Sequence, residues 1–382
     1  MKRKHIISLA LALVMVFSLV ACGGGDAGST PATTPAAPAA SGSTGTTTPA
    51  APAASTTTEL VDDTTGLKIA CEPIELSMGC SGTIDGTASG DAVYKYLEEI
   101  KQWTDGNFVI NFYPSGQLGG DAELIEGVQM GSVDIFMGSP SAQIGLVPEL
   151  AILDIAGLYE NIEQCNEVLS GGVRDQLETY YNKAGLHLGS AFSTSFRITS
   201  SNKAINSLAD LQGLNIRTQE NKYHMAFWKA LGANPTPLAW GEVYIALQQN
   251  MLDAQENPWV SYVGAKICEV QSNMTFTNHI PFILTFVTSN AKYQSMSDAQ
   301  KQALNQFFYS VQKETAEKSP ADDERMQKMC EDTYGLVCAD LAPDIWAAYP
   351  AATQAVVDLM KQDIDPTLVD NYVAAAKAAV GN

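Results

Sequence analysis

The chain reads as an α/β protein. Short apolar strand-like segments alternate with amphipathic helical ones from Ile74 onward, and the first three segments form a β-α-β unit. The stretch beginning at Leu67 is also long enough for two domains with cores of their own.

Ile74, Leu76 and Met78 alternate with Glu75 and Ser77, the period-two pattern of a strand. Val93, Leu97 and Ile100 then recur at helical spacing, and Gly106 with Asn107 ends that helix. Phe108, Ile110 and Phe112 fall on one face of the next strand, which stops at Pro114. Asp121 is placed to cap a helix carrying Leu124 and Val128, with Gly131 as terminator before a strand over Val133–Met137. Further on, Phe196–Thr199 and Leu214–Arg217 read as strands, and Ser207 with Asp210 has the spacing of a capping box. A helix over Asn221–Leu231 closes at Gly232. Ser297 with Gln300 opens the clearest helix, whose apolar stripe is Leu304, Phe307, Phe308 and Val311. No internal repeat is evident.

At the N-terminus, Lys2, Arg3 and Lys4 precede an apolar run from Ile6 to Val20, the pattern of a signal peptide over residues 1–21. The run is too short for a spanning helix, which needs about 20 apolar residues. It ends in Leu19-Val20-Ala21-Cys22, which resembles the lipobox of bacterial lipoproteins and implies acylation at Cys22. Residues 23 to about 58 are almost entirely Gly, Ala, Ser, Thr and Pro, so we expect residues 22–66 to form a tether holding the folded body off the membrane.

The precursor carries 22 basic and 42 acidic residues, a net charge of −20 that becomes −23 once Lys2, Arg3 and Lys4 are removed. Nucleic acid is therefore excluded as a partner. A small anion is not, because screening at physiological salt acts beyond about 8 Å and a pocket is governed by its own few charges. Six cysteines remain besides Cys22: Cys71, Cys80, Cys165, Cys268, Cys330 and Cys338. An even number outside the cell permits disulfides, with Cys71/Cys80 and Cys330/Cys338 the first pairs to test against buried free thiols. No CxxC occurs, which removes support for a zinc ribbon or a thioredoxin-like site.

For an anionic ligand the arginines are the informative residues, since a guanidinium clamps a carboxylate with two parallel hydrogen bonds and stays charged when desolvated. Arg197 lies in the apolar segment Ala191–Ile198, and Arg217 ends an apolar strand, where open α/β sheets place their ligands. From Gly232-Ala-Asn-Pro-Thr-Pro-Leu-Ala-Trp-Gly-Glu-Val-Tyr to Gln249, and again over Leu252-Asp-Ala-Gln-Glu-Asn-Pro258, the sequence resembles the DctP-like substrate-binding proteins of tripartite ATP-independent periplasmic (TRAP) transporters. Leu118–Asp134 and Leu208–Arg217 are similar to two further motifs of that family, in its order and spacing.

The resemblance implies a two-lobed clamshell with mixed β-sheets flanked by helices and a hinge of crossing strands. It puts lobe I at residues 74–193 plus 283–322 and lobe II at 194–282 plus 323–382. It implies that Arg217 pairs with the ligand carboxylate, that Arg197 is a second ligand-contacting arginine, that Asn257 hydrogen-bonds the same carboxylate and that Trp240 packs over the ligand. Where the family has Arg followed by a Thr-Thr pair, this chain has Arg197-Ile198-Thr199. The residue chemistry agrees: an amide beside a guanidinium fork fixes a carboxylate plane, and an indole supplies a flat apolar wall. Ser81, Ser139, Ser195, Glu220 and Tyr244 are candidates for contacts to the rest of the ligand.

The partners implied are a small carboxylate, whether dicarboxylate, keto acid or sugar acid, and integral-membrane permease subunits. No cofactor is implied. Three functions compete: a lipoprotein presenting its ligand to a membrane receptor, an exported α/β hydrolase, and a binder of a metal or peptide. GxSxG, HExxH, GxGxxG and P-loop patterns are absent, and the mature chain has only His187, His224 and His279. The lack of a His/Asp/Glu cluster also counts against a metal.

Overall fold

The computed structural model describes residues 60–381. The signal peptide, Cys22 and most of the expected tether lie outside the described residues. In chain order the elements begin β1 (Ile74–Gly79), α1 (Ala88–Trp103), β2 (Phe108–Tyr113), α2 (Asp121–Met130) and β3 (Ile135–Gly138). After 3₁₀ turns at Pro140–Gln143 and Pro148–Asp154 come α3 (Ile162–Ser170), α4 (Gly172–Lys183), β4 (Leu186–Phe196), β5 (Ile198–Ser201) and β6 (Asn215–Thr218). Next are α5 (Lys222–Ala230), β7 (Asn234–Pro237), α6 (Val243–Gln248), β8 (Ala254–Asn257), α7 (Trp259–Gly264), β9 (Asn273–Phe276) and β10 (Pro281–Ser289). The chain finishes with α8 (Asn290–Ser295), α9 (Asp298–Tyr334), β11 (Val337–Asp340), α10 (Pro343–Asp363) and α11 (Pro366–Val380). None of the described helices is long and apolar enough to cross a membrane.

The strands form two mixed sheets, ordered β2-β1-β3-β10-β4 and β11-β9-β5-β8-β6-β7. In the first, β1 runs parallel to β2 and β3 while β10 is antiparallel to β3 and β4. In the second, β6 runs parallel to β7 and β8, and β5 is antiparallel to β8 and β9. The chain changes sheet at Arg197, between β4 and β5, and again over residues 277–280, between β9 and β10. It crosses a third time through α9, which packs on α1 and β4 and then on α7 before β11 pairs with β9.

Periodicity located most elements. The capping box at Ser297 and Gln300 is complete, with side chain bonding backbone in both directions. Leu304, Phe307, Phe308 and Val311 are all buried, with Phe308 stacked on Phe286 of the first sheet and Phe307 edge-on to it. The helix they begin continues through Pro320, which removes one backbone donor. Trp103, Tyr96 and Ile100 of α1 close the same core. Elsewhere Phe227 and Trp228 of α5 pack with Tyr349 of α10, and α11 lies against α3.

Three local expectations are corrected. Phe196–Thr199 is not one strand but the junction of two, because Arg197 turns the chain from one sheet to the other. Gly120, not Asp121, occupies the N-cap of α2, and the Asp121 carboxylate instead accepts the Ser81 hydroxyl at 2.6 Å. Ser207 opens only a 3₁₀ turn over Leu208–Leu211, and its hydroxyl donates to Asp210 rather than capping backbone. All six described cysteines are free thiols, so neither Cys71/Cys80 nor Cys330/Cys338 forms a disulfide.

Candidate functional site

Parallel strands aim their carboxyl ends at one cavity of about 840 Å³: β1 and β3 from the first sheet, β6 and β8 from the second. Arg217 enters from β6, Asn257 from β8, Ser195 from β4, Ser81 from just beyond β1 and Ser139 from just beyond β3. Trp240 and the exposed Glu220 complete the wall on the side of the second sheet.

Arg217 is 3% exposed. Its Nε and Nη2 donate to the carbonyl of Leu238 at 2.9 and 2.6 Å, while Nη1 is buried with no partner. The Trp240 ring centroid lies 5.4 Å from the guanidinium carbon, within cation–π range. Burial pushes the guanidinium pKa down to about 10, with Glu256 opposing and Arg197 adding to the depression, so the group keeps its charge at neutral pH. The arrangement is a cation half held by backbone, with one donor unpaired, on a residue that borders the cavity. The Ser195 and Thr194 hydroxyls and the Gln219 side-chain amide, which border the same cavity, also lack partners. Buried polar groups without partners each cost about 1–3 kcal/mol, which an incoming ligand relieves.

Arg197 differs. Its Nε lies 2.5 Å and its Nη2 2.9 Å from the Glu256 carboxylate, and Nη2 also donates to the Glu256 carbonyl at 2.7 Å. Both side chains are buried, at 2% and 0% exposure. Glu256 is further held by His279 Nε2 at 3.1 Å and has His224 Nδ1 at 3.5 Å. His224 Nε2 lies 3.1 Å from Asp154, which also takes bonds from Ser141 and Asn221. Burial alone would raise the Glu256 carboxyl, but Arg197 and the two imidazoles outweigh it and hold the group well below its usual range. Burial likewise works to lower His224, and Asp154 with Glu256 overcomes it, so that imidazole is raised. Arg197 borders the cavity, but most of its fork is committed to this internal network.

The Asn257 amide donates to Gln255 at 2.9 Å while bordering the cavity. Ser139 caps the following 3₁₀ turn. Tyr244, on the short helix α6, does not border the cavity, and its hydroxyl donates to Glu269 at 3.0 Å instead. Sequence reasoning missed the contribution of α9. Thr315, Ser319, Asp322, Asp323 and Met326 of that helix border the cavity. The signal was present, since Leu304, Phe308, Val311, Thr315, Ser319, Asp322 and Met326 continue one helical stripe that is polar from Thr315 to Asp322.

Comparison with known proteins decides the family. Residues 82–363 match the model of the DctP family, described as bacterial extracellular solute-binding protein, family 7. The chain belongs to that family. Family-7 proteins bind their solute and do not transform it, which removes the hydrolase reading, and they work outside the cytoplasm. A solute-binding protein of Verminephrobacter eiseniae is 31% identical over 223 residues, 58% of this chain and 67% of that protein. The 2,3-diketo-L-gulonate-binding periplasmic protein of Escherichia coli K12 is 32% identical over 214 residues, 56% of this chain and 65% of that protein. Among solved structures, a sugar acid binding protein from Advenella mimigardefordensis in complex with galactonate superposes with a TM-score of 0.76 at 25% identity, covering 81% of this chain and 99% of that one. A TRAP periplasmic solute-binding protein from Polaromonas bound to D-erythronate gives 0.73 at 26% identity, covering 80% and 98%. The expected two-lobed α/β clamshell accords with these family-7 structures.

Proposed function

We propose that this family-7 protein captures a small organic acid in the 840 Å³ cavity and hands it to the membrane permease of a TRAP transporter. The observation that carries the reading is the Nη1 of Arg217, a buried, charged donor with no partner, on a residue that borders a cavity of small-molecule size. A carboxylate there completes a charge-assisted pair, and the Trp240 ring covers it. Asn257 and the Ser195 hydroxyl stand ready to fix its plane, whereas Arg197 acts chiefly by holding Glu256. Galactonate and D-erythronate in two structural relatives support an acid as ligand class.

Residues 74–193 with 283–322 form one lobe in this reading and 194–282 with 323–382 the other, bending about the sheet crossings. Ligand bound between them shifts an open population toward a closed one, the form a permease recognises. Acylation at Cys22 and the low-complexity tether keep the protein at the membrane. A thermal-shift screen of sugar acids, keto acids and dicarboxylates tests the proposal. Ligand at 100 times its dissociation constant stabilises by about 2.7 kcal/mol. One class is expected to raise the melting temperature of the native chain and not of Arg217→Ala; equal shifts in both, or no shift with any acid, would overturn the assignment.

A further inference from the structure

The cavity is not uniformly suited to anions. Arg217 is its one guanidinium not committed to an internal carboxylate, because Arg197 is held by Glu256. Against it stand Asp121, Glu123, Glu220 and Asp323, while Asp322 is engaged by Arg325 at 2.5 Å. Glu123 and Glu220 are exposed and screened by solvent. Asp121 and Asp323 are the pair that matters.

Their surroundings separate them. Burial raises the Asp121 carboxyl, but Ser81 donates to it and Arg217 pulls it back, so Asp121 belongs to the guanidinium end. Burial also raises Asp323, to about 7, and its neighbour Asp322 pushes in the same direction with no cation opposing. Among the described residues no hydrogen-bond donor reaches the Asp323 carboxylate, and the nearby Arg325 is turned to Asp322 and the carbonyl of Gly86.

Asp323 does not stand alone. Thr315 and Ser319 lie two turns and one turn before it on the same face of α9 and border the same cavity. The Thr315 hydroxyl is completely buried and has no hydrogen-bond partner, an independent sign that this wall is built for a polar group it does not itself supply. An uncompensated, half-buried carboxylate in a cavity wall disfavours a second negative charge and favours a donor, most of all a charged one.

Resting on the proposed carboxylate capture at Arg217, we infer that the ligand is bipolar: a monocarboxylate whose far end carries a protonated nitrogen received by Asp323 and Thr315, so that dicarboxylates are rejected. The free energy of such recognition comes from pairing two groups that the empty cleft leaves unpaired, one at each end. The same arrangement explains how a strongly acidic protein can hold an acid: the bound molecule adds no net charge.

The test is calorimetry on the full mature protein with matched probes of four, five and six carbons, each as the ω-amino acid, the ω-hydroxy acid and the dicarboxylate, with gluconate alongside. The ω-amino acid of the fitting length is expected to bind at least tenfold more tightly than its hydroxy counterpart and the dicarboxylate more weakly still. Asp323→Asn should erase that tenfold preference, weakening the ω-amino acid far more than the hydroxy acid. If gluconate or a dicarboxylate binds as tightly as every amino acid, or if Asp323→Asn leaves the ranking intact, the bipolar ligand is wrong while carboxylate capture stands. If no carboxylate of any kind binds, or Arg217→Ala binds them all unchanged, capture at Arg217 falls and this inference with it.

Discussion

Arg197 and Arg217 flank the same strand, β8, in the second sheet, and both are almost wholly buried. One arrives with its counter-charge built in, since Glu256 on β8 grips it, His279 bonds Glu256 and His224 lies 3.5 Å away. The other touches a backbone carbonyl and an indole, has Asp121 and Glu256 acting on it only from beyond ion-pair distance, and leaves one donor unpaired. A buried charge with an internal partner is part of the scaffold. A buried charge without one is a site held ready, and the stability it forgoes is recovered on binding.

The comparison is most easily broken at Glu256. Glu256→Gln should destabilise the fold by about 3–5 kcal/mol, because it leaves the Arg197 guanidinium buried and unpaired. Urea denaturation measures this; a loss under 1 kcal/mol would make Arg197 no more structural than Arg217. The pH dependence sharpens the same contrast. Glu256 is held well below its ordinary 4.5, so its contribution is complete above that value and is lost as pH falls through the depressed one. His224 is raised above 6.5, so its contribution is complete below that value and fades as pH climbs through the raised one. Stability should therefore fall on both sides of mildly acidic pH, and the acid-side slope should flatten in Glu256→Gln. An unchanged slope would remove Glu256 as its source.

Smaller effects are expected at the rim. Trp240 is half-buried beside Arg217, and a bound acid should cut the accessibility of its fluorescence to iodide; identical quenching with and without ligand would deny it a covering role. Tyr244→Phe should leave affinity within about 0.5 kcal/mol of wild type, as suits a surface hydroxyl turned to Glu269. A larger loss by calorimetry would return Tyr244 to the ligand.

The sequence made the contrast half legible. Arg217 is found by its place at the end of an apolar strand, and the helices and strands around it follow from periodicities of 3.6 and 2. What keeps Arg197 from doing the same work was hidden, because its partner lies 59 residues away and meets it only through the antiparallel register that sets Thr199 opposite Glu256. Sheet order is a property of the whole fold and leaves no local trace. Asp121 was visible only as a helix cap, since nothing nearby in sequence announces Ser81 as its donor. The α9 wall was legible in principle: Thr315, Ser319 and Asp322 fall where the stripe begun by Leu304 should have stayed apolar. A polar residue in register with a buried face asks what it faces.

Calorimetric titration of a binding acid into Arg217→Ala, with urea denaturation of the same variant, is the most direct test of Arg217 as the cavity's charged receiver. The expected result is an affinity lower by about 2–5 kcal/mol, roughly 30-fold to several thousand-fold, in a protein that unfolds at or above the wild-type urea concentration. Unaltered affinity, or a fold as damaged as that of Glu256→Gln, would contradict it.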